Sequence, residues 1–112
     1  LTRTFSFFRK EQRIEIVDEV EFSEASAFET AFVTNSTWQE HGGGAFTVSD
    51  GGTALDVVVK SETGELDLKT QPVTAPRQKP GIAPTRLGYD LREPARFARI
   101  KATITVRAPG GQ

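Results

Sequence analysis

The segment Phe97-Ala-Arg-Ile-Lys-Ala-Thr-Ile-Thr-Val-Arg107 constrains the fold most. Ala98, Ile100, Ala102, Ile104 and Val106 fall on one parity; Phe97, Arg99, Lys101, Thr103, Thr105 and Arg107 fall on the other. Successive side chains of a strand point to opposite faces, so this segment packs one face and wets the other. One-sided strands belong to antiparallel sheets. The segment then runs into Ala108-Pro109-Gly110-Gly111, as a chain does at a domain edge.

Similar alternation recurs upstream. Residues 4–9 place Phe5 and Phe7 on one side; Ile14 and Ile16 open a second strand that continues through Val20 and Phe22. Phe28, Thr30, Phe32 and Thr34 alternate in a third. A partial helical stripe over Val17, Val20, Ala27, Phe28 and Ala31, with Ser23 as cap, competes in this region. The β-branched and aromatic alternation favours strands. Residues 35–44, holding Trp38 and three successive glycines, read as a turn and loop. Asp50-Gly51-Gly52 is a hairpin signal, because these residues tolerate positive φ in tight turns. Residues 45–49, 53–60 and 65–70 are thus expected to form a meander. Residues 71–84 hold Pro72, Pro76, Pro80 and Pro84 and are expected to be a surface loop, since proline lacks the ladder donor. Residues 86–91 and 97–107 complete about eight strands. Short strands with regular turn signals predict an all-β fold, an antiparallel β-sandwich forming a single domain over residues 1–112.

Composition fits that reading. The chain has 112 residues, 37% hydrophobic and 26% charged, with eight Phe but one Tyr and one Trp. That is enough for one core. No run approaches the ~20 apolar residues of a membrane-spanning helix, so no membrane partner is expected. Cysteine is absent, which excludes disulfides and thiolate chemistry. Methionine is absent too, even at position 1, so a fragment of a larger protein is expected. Leu1-Thr-Arg-Thr-Phe5 opens directly into a strand pattern, so any secretory leader of the parent is expected to lie outside this fragment.

The net charge of −1 hides an uneven spread. Glu11, Glu15, Asp18, Glu19, Glu21, Glu24 and Glu29 face only Arg13 in the first part. Arg77, Lys79, Arg86, Arg92, Arg96, Arg99, Lys101 and Arg107 face only Asp90 and Glu93 in the last. Either the two segments lie together and neutralise, or the second is a basic face for an anionic polymer.

No phosphate loop, dinucleotide fingerprint or nucleophile elbow is present, and neither nucleic acid nor a cofactor is implied. His41 is the single histidine and lacks the companions of a metal site; it reads as a loop residue. Trp38 either stacks on a sugar or packs the sandwich edge. Tyr89 alternates with Leu87 and Leu91, as a core residue does. Arg99, Lys101 and Arg107 make a basic ribbon, and guanidinium groups bind carboxylates and sulfates in bidentate fashion. The candidate binding residues are therefore Arg99, Lys101, Arg107 and Trp38, with no catalytic or metal residues.

Several segments resemble a known family. Arg3-Thr-Phe-Ser-Phe-Phe-Arg-Lys with Arg13-Ile-Glu-Ile-Val-Asp-Glu-Val is similar to strands that follow the catalytic region of heparinase II/III-like polysaccharide lyases. So are Asp50-Gly-Gly-Thr-Ala-Leu-Asp-Val, Arg86-Leu-Gly-Tyr-Asp-Leu and Ile104-Thr-Val-Arg-Ala-Pro109. The resemblance implies a bacterial, periplasmic or secreted parent that cleaves acidic polysaccharide by β-elimination. Its Tyr, His, Asn and Arg groups lie on a helical toroid and a preceding sheet, and none of those motifs occurs in this chain. The implied role is a non-catalytic C-terminal β-sandwich that packs on the rest of the parent chain and helps to frame substrate. The rivals are a free-standing carbohydrate-binding module and a structural interaction domain. A packing domain exposes an apolar patch; a binding module gathers aromatic and polar groups in a groove; a spacer shows neither.

Overall fold

The computed structural model describes residues 1–50, 52–72 and 84–107. They form nine strands: β1 (Thr2–Phe8), β2 (Arg13–Ser26), β3 (Glu29–Thr34), β4 (Thr37–Gly42), β5 (Ala45–Asp50), β6 (Thr53–Ser61), β7 (Leu66–Pro72), β8 (Thr85–Leu91) and β9 (Ala95–Arg107). No helix occurs among the described residues, and the competing helical stripe over residues 17–31 falls on β2, the link at residues 27–28 and β3. Two antiparallel sheets result. One has six strands in the order β1-β2-β9-β6-β5-β4; the other has three, β3-β8-β7.

The core lies between the sheets. Phe46, Val57, Val59, Ile100 and Ala102 come from the larger sheet, and Leu87 and Tyr89 from the smaller. Phe46 stacks on Tyr89 and meets Phe32 edge-on. The apolar parity of β9 forms the middle of this wall, with Ala98 and Ile100 buried. A strand paired on both sides, by β2 and β6, can present so clean an alternation.

Three expectations are corrected. Residues 37–42 are not a loop but the edge strand β4, joined to β5 through Gly42, Gly43 and Gly44, all at positive φ. Gly44 is also sterically required: a Cβ there would sit 2.2 Å from the Val59 carbonyl oxygen. The expected meander breaks after β6, because β6 pairs with β9 while β7 crosses to pair with β8 in the other sheet. Strand β7 runs through Gln71 to Pro72, a position that an edge strand tolerates. The remainder of the proline-rich segment, residues 73–83, lies outside the described residues.

Asp18 departs from the parity rule. It shares the inward face of β2 with Ile14 and Ile16 and is 3% exposed. Arg3 of β1 donates to it twice, Nε to Oδ1 at 2.6 Å and Nη2 to Oδ2 at 2.8 Å. The Thr30 hydroxyl, from the opposite sheet, donates to Oδ2 at 3.2 Å. A buried carboxylate is tolerable when its lone pairs are taken in this way.

Removing one partner should strand the buried charge. Arg3→Met is expected to lower stability by about 2 kcal/mol; Arg3 is half-exposed, so the cost falls below the full buried-pair value. Adding Asp18→Leu should recover part of that loss. Urea denaturation of both variants checks this, and a double variant less stable than Arg3→Met alone would contradict it.

Candidate functional site

The parity that carries Arg99, Lys101 and Arg107 faces outward, so the predicted ribbon exists as a stripe on the six-stranded sheet. Each cation in it has a carboxylate partner. Arg99 pairs with Glu62 and reaches Glu19 at 3.7 Å. Lys101 meets Glu15 at 3.3 Å. Arg107 donates through Nε to Asp56 at 3.1 Å. Strand register produces this compensation: Glu19 stands directly opposite Arg99 on β2, and Asp56 lies opposite Thr105 on β6. The acidic and basic segments therefore lie side by side, although Lys60 also stands directly opposite Lys101.

Trp38 does not join this stripe. It stands opposite Val48 on the other face of the sheet and packs against the core. His41, by contrast, lies on the outer face, on the parity of Gln39, which stands opposite Thr47. Its Nε2 lies 2.8 Å from the Thr47 hydroxyl, which donates to Asp56 Oδ1 at 2.9 Å. His41, Thr47, Asp56 and Arg107 thus form one polar chain across β4, β5, β6 and β9. The carboxylate can only accept, so it takes the hydroxyl proton and leaves the imidazole to donate to Thr47. That arrangement does not activate Thr47 as a nucleophile, which would need its proton to pass to the imidazole. The Arg107 guanidinium, helped by Thr47, holds the Asp56 carboxyl below its ordinary value.

The sequence reading missed this chain because it took residues 35–44 as a turn and loop, and only the pairing of β4 with β5 brings His41 beside Thr47. It also missed Arg3, Asp18 and Thr30, although Asp18 visibly shares parity with Ile14 and Ile16. A cavity of about 90 Å³ lies beside that cluster, lined also by Phe32 and Ile100. A more open cleft of about 600 Å³ runs between the β4–β5 turn and the β6–β7 crossing, lined by Gly43, Gly44, Lys60, Gly64 and Arg92 among others and by no aromatic residue. Among the described residues no group of three or more His, Asp or Glu gathers as a metal site.

Tyr89 is in the core, as its alternation implied, yet its hydroxyl is buried without a hydrogen-bond partner. Burial, aided by the negative charge of Glu40, pushes its phenol up to about 12.

The apolar face has one open stretch. Phe5 and Phe7 stand opposite Ile16 and Ile14 on the inward side of the large sheet, and each is 65% exposed. Strand β3 meets β2 through the Thr30–Asp18 bond, while among the described strands β1 pairs only with β2. No family model matches the chain, and no curated protein matches it.

Two outcomes follow. The phenol of the single tyrosine favours protonation in the folded state, so its contribution is complete below pH 10 and is lost as pH rises toward about 12. Tyr89→Phe should remove that loss and raise stability at neutral pH by about 1 kcal/mol, because an unpaired buried hydroxyl disappears. Asp56 has the opposite sign: its contribution is complete above 3.8 and is lost as pH falls below it. The stability gap between the wild type and Arg107→Gln should therefore shrink in acid. Denaturant midpoints across pH check both, and a gap that widens in acid would refute the second.

Proposed function

We propose that this chain is a non-catalytic β-sandwich of a heparinase II/III-like polysaccharide lyase that packs by the open face of β1 on the catalytic part of its parent. The exposed pair Phe5 and Phe7 carries the reading. They continue the inward row of Ile14 and Ile16, so they belong to a core that the small sheet leaves unfinished. An apolar patch of this kind, rimmed by polar residues, marks a packing surface. The free-standing binding module is less well supported. Trp38 packs against the core, and the cleft beside the β4–β5 turn has no aromatic platform. Framing of an acidic glycan falls to Arg99, Lys101 and Arg107. Their side chains remain 36%, 43% and 49% exposed, so a sulfate or uronate can compete for their surface ion pairs.

The chain alone should leave heparin, heparan sulfate and alginate intact, read as unchanged unsaturated-uronate absorbance. It should bind a purified toroid domain of such a lyase in calorimetry, and Phe5→Ser with Phe7→Ser should weaken that binding at least about tenfold, since each ring contributes about 1.5–3 kcal/mol on full burial. Cleavage by the chain alone, or toroid binding indifferent to the double change, would overturn the proposal. Weak heparin binding should decline with salt and with Arg99→Ser plus Lys101→Ser, because exposed charges are screened within about 10 Å. Binding that persists in high salt would remove the basic ribbon from the reading.

A further inference from the structure

Edge strands expose unpaired backbone donors and acceptors, and proteins normally blunt them with charge, proline or a bulge. Among the four edge strands of the described residues, three carry clear guards. Strand β4 carries Glu40, His41 and the bulge before Gly42. Strand β7 carries Asp67, Lys69 and Pro72. Strand β3 is six residues long and bears Glu29. Strand β1 is guarded least: Thr2–Phe8 has no acid, lysine or proline, and its pairing with β2 runs without a shift. Its one guard, the inward-pointing Arg3, is taken up by its ion pair with Asp18.

We propose that the free edge of β1 is a strand-acceptor site. It takes an extended segment of another polypeptide, antiparallel to β1, with apolar residues at alternate positions and acids at its N-terminal end. Each element comes from β1 itself. The alternation follows from Phe5 and Phe7 inward against Thr4 and Ser6 outward, because side chains on an added strand keep the face of their neighbours. The antiparallel direction follows the rest of the sheet and the slightly better pairing geometry. The acids answer Arg9 and Lys10 at the C-terminal end of β1. Both are exposed and neither has an ion-pair partner among the described residues. Arg13 is withdrawn from that end, stacked 4.5 Å over the Phe8 ring. Even with Glu11 adjacent, the tip keeps a positive balance. This goes beyond the packing reading above, because main-chain pairing at the edge is a different contact from covering the face, and it holds whatever the parent's chemistry is.

The test uses the 112-residue chain and the synthetic peptide Asp-Asp-Thr-Val-Thr-Val-Thr, followed by NMR. The peptide should bind at about 1 mM and shift backbone amides of β1 while leaving those of β4 in place. Methylating alternate peptide nitrogens along the pairing edge should abolish binding, because it removes the ladder donors. Phe5→Lys should weaken binding about tenfold by giving the edge its missing charge. Arg9→Glu with Lys10→Glu should reverse the preference toward a Lys-Lys peptide of otherwise equal sequence. Heteronuclear spectra and urea midpoints establish that each variant is folded. The proposal is overturned by no shift in β1 at several-fold higher peptide, by equal binding of the methylated peptide, or by shifts centred on β4. Sedimentation of the chain alone should give a monomer. A dimer abolished by Phe5→Lys would make a second copy the occupant and would equally refute a foreign strand. Since no toroid domain is present, failure here leaves the packing reading to its own experiment.

Discussion

The carboxylate of Asp18 ties the architecture together. It stands on β2, yet its hydrogen bonds come from Arg3 on β1 and Thr30 on β3, so one buried charge joins two strands of the large sheet to the small sheet. Apolar contacts are non-directional and tolerate sliding. A buried carboxylate does not, because any register that separates it from its donors leaves a charge unpaired. A one-residue slip of β1 would turn Arg3 to the outer face and Phe5 and Phe7 with it. The pairing Arg3↔Asp18 and the pairing Phe5↔Ile16 are therefore one geometric statement.

Alternation made most of the fold legible in the sequence. It located β9, placed Ala98, Ile100 and Ala102 inward, and set Tyr89 in the core. It failed where parity is not the deciding variable. Strand β4 was hidden because Gln39, Glu40, His41 and Gly42 lack an apolar rhythm; only Trp38 packs inward. A protected edge strand needs no more than that. The crossing of β7 to the second sheet was hidden because hairpin signals describe local turns, and Glu62-Thr63-Gly64 serves a change of sheet as well as a hairpin. The candidate site divides in the same way. The outward parity of Arg99, Lys101 and Arg107 is local and was readable. Their partners Glu62, Glu15 and Asp56 depend on which strands flank β9, and that is a property of topology.

The outer face consequently behaves as a lattice of compensated charge. Glu15 faces Lys101, Glu19 and Glu62 face Arg99, and Asp56 faces Arg107 and Thr47. Exposed pairs of this kind contribute little each, about 0–1 kcal/mol, and exchange partners readily. Such a face leaves the guanidinium groups of Arg99 and Arg107 partly exposed beside their partners. The inner face offers no such exchange, since Phe5 and Phe7 gain only by leaving water.

That gain sets the kind of association the surface can sustain. Two phenylalanine rings, each still 65% exposed, supply about 2–4 kcal/mol. Bringing two separate molecules together costs about 4–15 kcal/mol in translational and rotational freedom. Contacts limited to the open face of β1 therefore roughly cancel against that cost for a free partner, and stable docking needs either a larger area or a tether. A covalent link replaces the bimolecular cost with an effective concentration in the millimolar range for a short linker. On that footing a pair of exposed rings and one lightly guarded strand edge give weak association with a free partner and stable docking for a module joined to its neighbour. The same arithmetic explains why an edge without lysine, acid or proline is tolerable: unguarded pairing groups are a hazard between free copies only when the contact they make outweighs the cost of association. Here two rings and seven residues of backbone leave that balance close to even, and a covalent neighbour shifts it toward docking.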